Sequence, residues 1–154
     1  MAGEALSELI TEKTATLSKD ELKSKLAGMM TEIGLGISIE GASISISTTK
    51  ASLPEALKLA REMLRSPLID EASLQEYVRR TKDQIKASRD EPQVLLQQTV
   101  PTMILAQGDP RLPRTFDEVI AELDKLTVEA VLAFHKEFLG SDGMVGGIVG
   151  DVDP

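Results

Sequence analysis

The sequence predicts an α+β fold, with helices packed on one face of a small, largely antiparallel sheet. Two observations carry this. Ser43, Ser45 and Ser47 alternate with Ile44, Ile46 and Thr48, so one face of this stretch is polar and the other apolar. That is the pattern of a half-buried strand. Within a few residues the period becomes helical. Ser52 stands at a cap position, Pro54 falls in the first turn, and Glu55 follows Ser52 at capping-box spacing. Leu53, Leu57, Ala60 and Leu64 then form a stripe suited to lie on a sheet. A half-buried strand followed by an amphipathic helix calls for a layered arrangement.

The remaining elements follow in order. Residues 4–13 read as a helix with Leu6, Leu9, Ile10 and Lys13 on one face. Ser18 and Glu21 form a second capping box, and Leu22, Leu26, Met29, Met30 and Ile33 carry the stripe of the next helix. Gly34 is placed to stop that helix in the left-handed conformation. Leu35 to Glu40 alternates as a strand, and Gly41-Ala42 would join it in a tight hairpin to the strand at Ser43. Ser66-Pro67 breaks the chain, and Asp70 caps a long helix with the stripe Leu74, Tyr77, Val78, Thr81 and Ile85. Its outer face carries Arg79, Arg80, Lys82, Asp83 and Lys86, as a solvated helix face does.

Pro92 restarts the chain into an apolar helix with Val94, Leu95, Leu96, Met103 and Ile104, interrupted by Pro101. A loop over Gly108 to Pro113 leads to a third capping box, Thr115 with Glu118, ahead of Val119 and Leu123. Thr127 opens a helix with Val131, Leu132, Phe134, His135, Phe138 and Leu139 that ends at Gly140. Met144 to Val149 suits a buried strand. Three strands make a thin sheet for six or seven helices, which suggests that further strands lie elsewhere.

Composition narrows the function. The chain has 154 residues, enough for a real core in a single domain over 1–154. At 3% aromatic residues, that core must be aliphatic. A net charge of -8 argues against nucleic acid and against an anionic membrane surface as partners. Without cysteine, disulfides and thiolate metal sites are excluded. Glu4, Glu8, Glu12, Lys13 and Lys19 interrupt residues 1–20, so neither a signal peptide nor a membrane span is expected there.

No candidate catalytic, cofactor-binding or metal-binding residue emerges. His135 is the only histidine. An inverted zinc motif, His-x-x-Glu-His, needs two histidines on one helix face and a glutamate to handle the proton of water. Here Lys136, Glu137, Phe138 and Leu139 follow His135, so it reads as a surface or boundary residue. A hydrolase built on His135 would need a nucleophile elbow, and no Gly-x-Ser-x-Gly is present. Gly143, Gly146, Gly147 and Gly150 lack a following Gly-Lys-Ser/Thr and read as close backbone packing in the sheet. Asp151, Asp153, Glu76 and Glu91 read as ordinary solvated acids.

Residues 115–154 are more specific. They run Thr-Phe-Asp-Glu-Val through Leu-Thr and Ala-Phe-His to Ile-Val-Gly-Asp-Val-Asp-Pro. This course resembles the insulinase-like (pitrilysin) zinc peptidases, in which a short helix, a Leu-Thr cap, a helix with Ala-Phe-His and a strand ending in Val-Gly-Asp recur in this order. Leu17 to Ile33 resembles the helix after that family's Gly-Thr stretch, with Lys13-Thr14 here in place of the glycine. Leu53 to Pro67 resembles the next helix, and Gln107 to Pro113 a loop of large bacterial members.

The resemblance implies repeated α+β domains, some bearing the inverted zinc motif and others closing over the substrate. It identifies this chain as most of the first half of a non-catalytic repeat, comparable to the mitochondrial-processing-peptidase-like unit. No cofactor is then expected in this chain, and zinc belongs to the catalytic repeat of the parent. In a catalytic repeat the third zinc ligand, a glutamate, would come from the region of Glu76. Without the two histidines that role is not carried over. The implied partners are the other repeats of the same polypeptide and a peptide substrate. The chain alone is expected to be inactive. The alternative is a stand-alone interaction module that adds an extended peptide at an open sheet edge. The same edge would admit a second copy as a homo-dimer. Large bacterial members are often exported, which points to the periplasm.

Overall fold

The structure is a computed structural model and describes residues 1–38, 41–140 and 144–151. It confirms the α+β class, with seven helices and one antiparallel hairpin among the described residues. The chain divides into two units. The larger comprises Ala2–Leu74 and Thr127–Pro154, and the smaller Gln75–Leu126 with Met1.

In the larger unit, β1 (Glu32–Ser38) pairs antiparallel with β2 (Gly41–Ser47). The register sets Glu32 opposite Ser47, Gly34 opposite Ser45 and Gly36 opposite Ser43. Residues directly opposite share a face. One face is therefore glycine, serine and Glu32, and the other is Ile33, Leu35, Ile37, Ala42, Ile44 and Ile46. Helix α1 (Ala2–Leu9) contacts β1 and also α7 (Val128–Phe138). Its Ala5, Leu6 and Leu9, with Ile10 just after it, are at most 1% exposed.

Gly3 shows how tightly α1 is held. A Cβ there would lie 3.0 Å from Phe134 Cζ and 3.2 Å from Ile37 Cγ2. The Phe134 ring is also braced by Phe138, 4.7 Å away between centroids.

Helix α2 (Lys19–Gly28) starts at the expected Ser18–Glu21 capping box. Helix α3 (Leu53–Arg65) buries Ala56, Leu59, Ala60 and Met63. Helix α4 (Glu71–Ser88) starts in this unit, where the Asp70 carboxylate accepts from the Ser73 amide at 2.9 Å and from Lys13 Nζ. The buried Thr14 and Thr31 hydroxyls are satisfied locally: Thr14 Oγ1 accepts from the Leu17 amide at 3.1 Å, and Thr31 Oγ1 bonds Thr48 Oγ1 at 2.7 Å.

The smaller unit contains the rest of α4, with α5 (Pro92–Ile104) and α6 (Phe116–Leu123). The α4 stripe is as expected: Leu74 and Tyr77 are buried, and Val78, Thr81 and Ile85 half-buried. Thr115 and Glu118 make the expected box at α6. In the larger unit, Thr127 Oγ1 caps α7 by accepting from the Ala130 amide.

Several expectations are corrected. Helix α1 ends at Leu9 and not at 13, so Lys13 leaves the helix and meets Asp70. Helix α2 ends at Gly28, and Met30 takes the left-handed conformation (φ 48°) expected of Gly34, which lies in β1. Leu22 is the only α2 stripe residue fully buried, and Met30 is exposed. Gly41 and Ala42 belong to β2, opposite Ser38 and Ile37, and are not the turn. Ile39 and Glu40, expected in the first strand, lie outside the described residues.

Ser52 makes no side-chain cap. Thr49 begins that turn, its Oγ1 and carbonyl both accepting from the Ser52 amide, and Glu55 bonds Lys25 at 2.7 Å instead. The α3 stripe is rotated from the expected one: Ala56, Leu59, Ala60 and Met63 are buried and Leu57 is exposed. Pro101 does lie inside α5, but no residue of that helix is buried. Helix α7 ends at Phe138, short of Gly140. Residues 144–149 form no strand: Met144, Val145, Ile148 and Val149 are exposed, and Gly146 and Gly147 have nothing packed on them. A strand needs a neighbour to take its backbone hydrogen bonds, and residues 144–149 pair with neither strand of the hairpin.

Two outcomes test this packing. Gly3→Val should destabilise the fold by about 1–3 kcal/mol by overpacking the α1 contact, measured by urea unfolding; no loss of stability would show that α1 does not sit so close. Lys13 and then the Ser73 amide depress the Asp70 pKa to about 2. A depressed carboxylate stabilises the fold above its unfolded value, about 3.9, and that contribution fades as pH falls toward the folded value. Asp70→Asn should therefore flatten the acid-unfolding profile between pH about 4 and about 2. An unchanged profile would show that the pair contributes nothing.

Candidate functional site

The candidate site is the hairpin face turned away from α1. Gly34 and Gly36 recur two apart along β1, so both lie on this face. Across the ladder, a Cβ on Gly34 would meet Ser45 Oγ at 3.2 Å, and one on Gly36 would meet Ser43 Oγ at 3.1 Å. The serine hydroxyls therefore lean over glycines, and the face carries almost no side-chain relief. Ser43, Ser45, Ser47, Ser38 and Gly36 are exposed. A shallow recess of about 290 Å³ opens beside the pairs Glu32–Ser47, Ile33–Ile46 and Gly34–Ser45. Glu32 supplies its one charge. Such a surface can receive an extended backbone closely and offers hydroxyl groups to bond it.

The residues weighed as chemical candidates are scattered. His135 is half-buried on α7, and its Nε2 donates to the Leu64 carbonyl at 2.7 Å. It thereby satisfies a carbonyl that the end of α3 leaves without an intrahelical partner. Glu76 is exposed on α4, and Glu91 precedes α5 without making a side-chain cap. Asp151 pairs with Lys50 at 3.4 Å. Gly143 and Asp153 lie outside the described residues. Among the described residues, no three histidine, aspartate or glutamate side chains cluster to hold a metal ion. Among the described residues, no helix is long and apolar enough to cross a membrane.

Gly34 after an amphipathic run fits a helix end, and this hides the glycine–serine face in the sequence. The usable signal was the pair Gly34 and Gly36 at strand spacing, ahead of three alternating serines.

No family model matches the chain, and no curated protein matches it. Among solved structures it is similar to part of the ferredoxin protease FusC, from a crystal structure of a mutant in complex with Arabidopsis ferredoxin. The TM-score is 0.65 at 20% identity, over 88% of this chain and 15% of that one. The likeness establishes a shared fold. This chain spans a small part of that protein's length.

Proposed function

We propose that this chain is a non-catalytic segment of an insulinase-like zinc peptidase, forming part of the wall that encloses and binds the peptide substrate. The observation that carries the reading is the match of most of this chain to a segment of a ferredoxin protease, itself an insulinase-like zinc peptidase. The order of sequence pieces over 115–154 supports it, as does the flat glycine–serine face. On this reading zinc is held by a separate repeat of the parent, and the other repeats and the peptide substrate are this chain's partners. The parent hydrolyses peptides, and this segment contributes binding and enclosure.

A second reading rests on the hairpin edges, which pair with no third strand among the described residues. Open edges receive an extended strand, either from a peptide or from a second copy in a homo-dimer. That reading makes the chain a binding module independent of any peptidase.

The test is binding and cleavage of an unstructured, fluorescently labelled peptide. The chain should bind it saturably and cleave none of it, with or without added zinc. Valine at Gly34 and Gly36 need displace only rotatable serine hydroxyls, so Gly34→Val/Gly36→Val should stay folded while weakening binding about tenfold by filling the flat face. Retained affinity in that variant would move the binding to the open edges. Zinc-dependent cleavage abolished by Glu76→Gln would overturn the proposal.

A further inference from the structure

We propose that the outer face of α3 is a docking site for an acidic peptide segment, whose carboxylates seat on Lys58, Arg61 and Arg65. This surface is distinct from the hairpin face and does not depend on the peptidase reading.

The three cations stand at i, i+3 and i+7, so they share one helix face. They span about 10 Å, the length of about three residues of extended chain. With Glu62 and Ser66 they line a shallow recess of about 310 Å³. Glu62 is engaged elsewhere, accepting from Thr16 Oγ1 at 2.8 Å. The recess therefore carries three positive charges against one negative charge.

The two arginines are exceptional in this molecule. Acidic residues outnumber basic ones by 25 to 17, and Arg79, Arg89, Arg111 and Arg114 each hold a carboxylate. Arg61 and Arg65 are exposed, and their side chains make no hydrogen bond or ion pair to any described residue. Lys58 has only a loose contact, 3.7 Å from Glu55, and that carboxylate is held more closely by Lys25 at 2.7 Å.

The ligand chemistry follows from the side chains. A guanidinium offers a planar fork of donors that matches a carboxylate in two parallel bonds. Two such forks one helical turn apart suit neighbouring acidic side chains on one short segment. The excess negative charge of the whole chain disfavours a long polyanion such as nucleic acid, which needs a broad basic surface.

The experiment titrates fluorescein-labelled hexaglutamate into the full chain, followed by anisotropy. Binding should be saturable and should fade as sodium chloride rises from about 20 to about 300 mM. Arg61→Glu/Arg65→Glu should weaken it about tenfold or more while leaving the circular dichroism spectrum unchanged. The arginine Nε–Hε NMR signals of the unmodified chain give a reading independent of the variant, and those of Arg61 and Arg65 should shift most on adding the peptide. Absence of saturable binding, binding unchanged by the double substitution, or shifts confined to other arginines would each overturn the proposal. Equal competition by inorganic phosphate would also overturn it, by showing a simple anion site with no preference for a peptide.

Discussion

The burial of α1 against β1 and α7 is the contact on which the larger unit depends. It joins the beginning of the chain to a helix more than a hundred residues later. Leu6, Leu9 and Ile10 are almost completely removed from water there, and burying each is worth about 1.5–3 kcal/mol. The closeness at Gly3 fixes the distance, since any side chain at that position would push against Phe134 and Ile37. Two polar ties then hold the flanks. Lys13, just beyond α1, meets the residue that caps α4, and His135 on α7 bonds the last turn of α3.

That contact also decides which surface is left for binding. A hairpin of two strands has two faces, and a slip of one residue would exchange them. With Ile37 held against α1, the register turns Gly34, Gly36, Ser43 and Ser45 outward. The bare face is thus a consequence of the core. Its flatness follows from glycine standing opposite serine, so the backbone is exposed where a peptide would lie. The only histidine of the chain is part of the framework, as a donor to a helix end, and takes no place on that face.

Local signals in the sequence proved strong where they are self-contained. The boxes at Ser18–Glu21 and Thr115–Glu118, and the caps at Asp70 and Thr127, each need only a few neighbouring residues to form, and the structure has them. The alternation of β2 and the α4 stripe were legible from periodicity alone, whereas β1 starts at Glu32, inside the stretch expected to be helix. What could not be read depends on partners distant in sequence. Ser52 fits a cap pattern as well as Ser18 does, but Thr49 starts the turn sooner and Lys25 takes Glu55. The α3 stripe was misjudged because Ala56 looks indifferent until a neighbour packs on it. The run from Met144 to Val149 has the composition of a buried strand, yet composition does not supply the neighbouring strand that would pair with it. The candidate face was missed for the same reason, since Gly34 after an amphipathic run fits a helix end and its pairing with Ser45 is visible only in the hairpin.

On the proposed function, this chain is the substrate-enclosing part of a zinc peptidase whose chemistry resides in another repeat. Sequencing the reading frame on both sides of the segment tests it most directly. The expected result is a His-x-x-Glu-His motif in a separate repeat of the same polypeptide. A frame with no such motif would contradict it and leave a stand-alone module. A motif within the same repeat, so placed that Glu76 completes its ligand set, would contradict it in the other direction by making this segment part of the catalytic repeat.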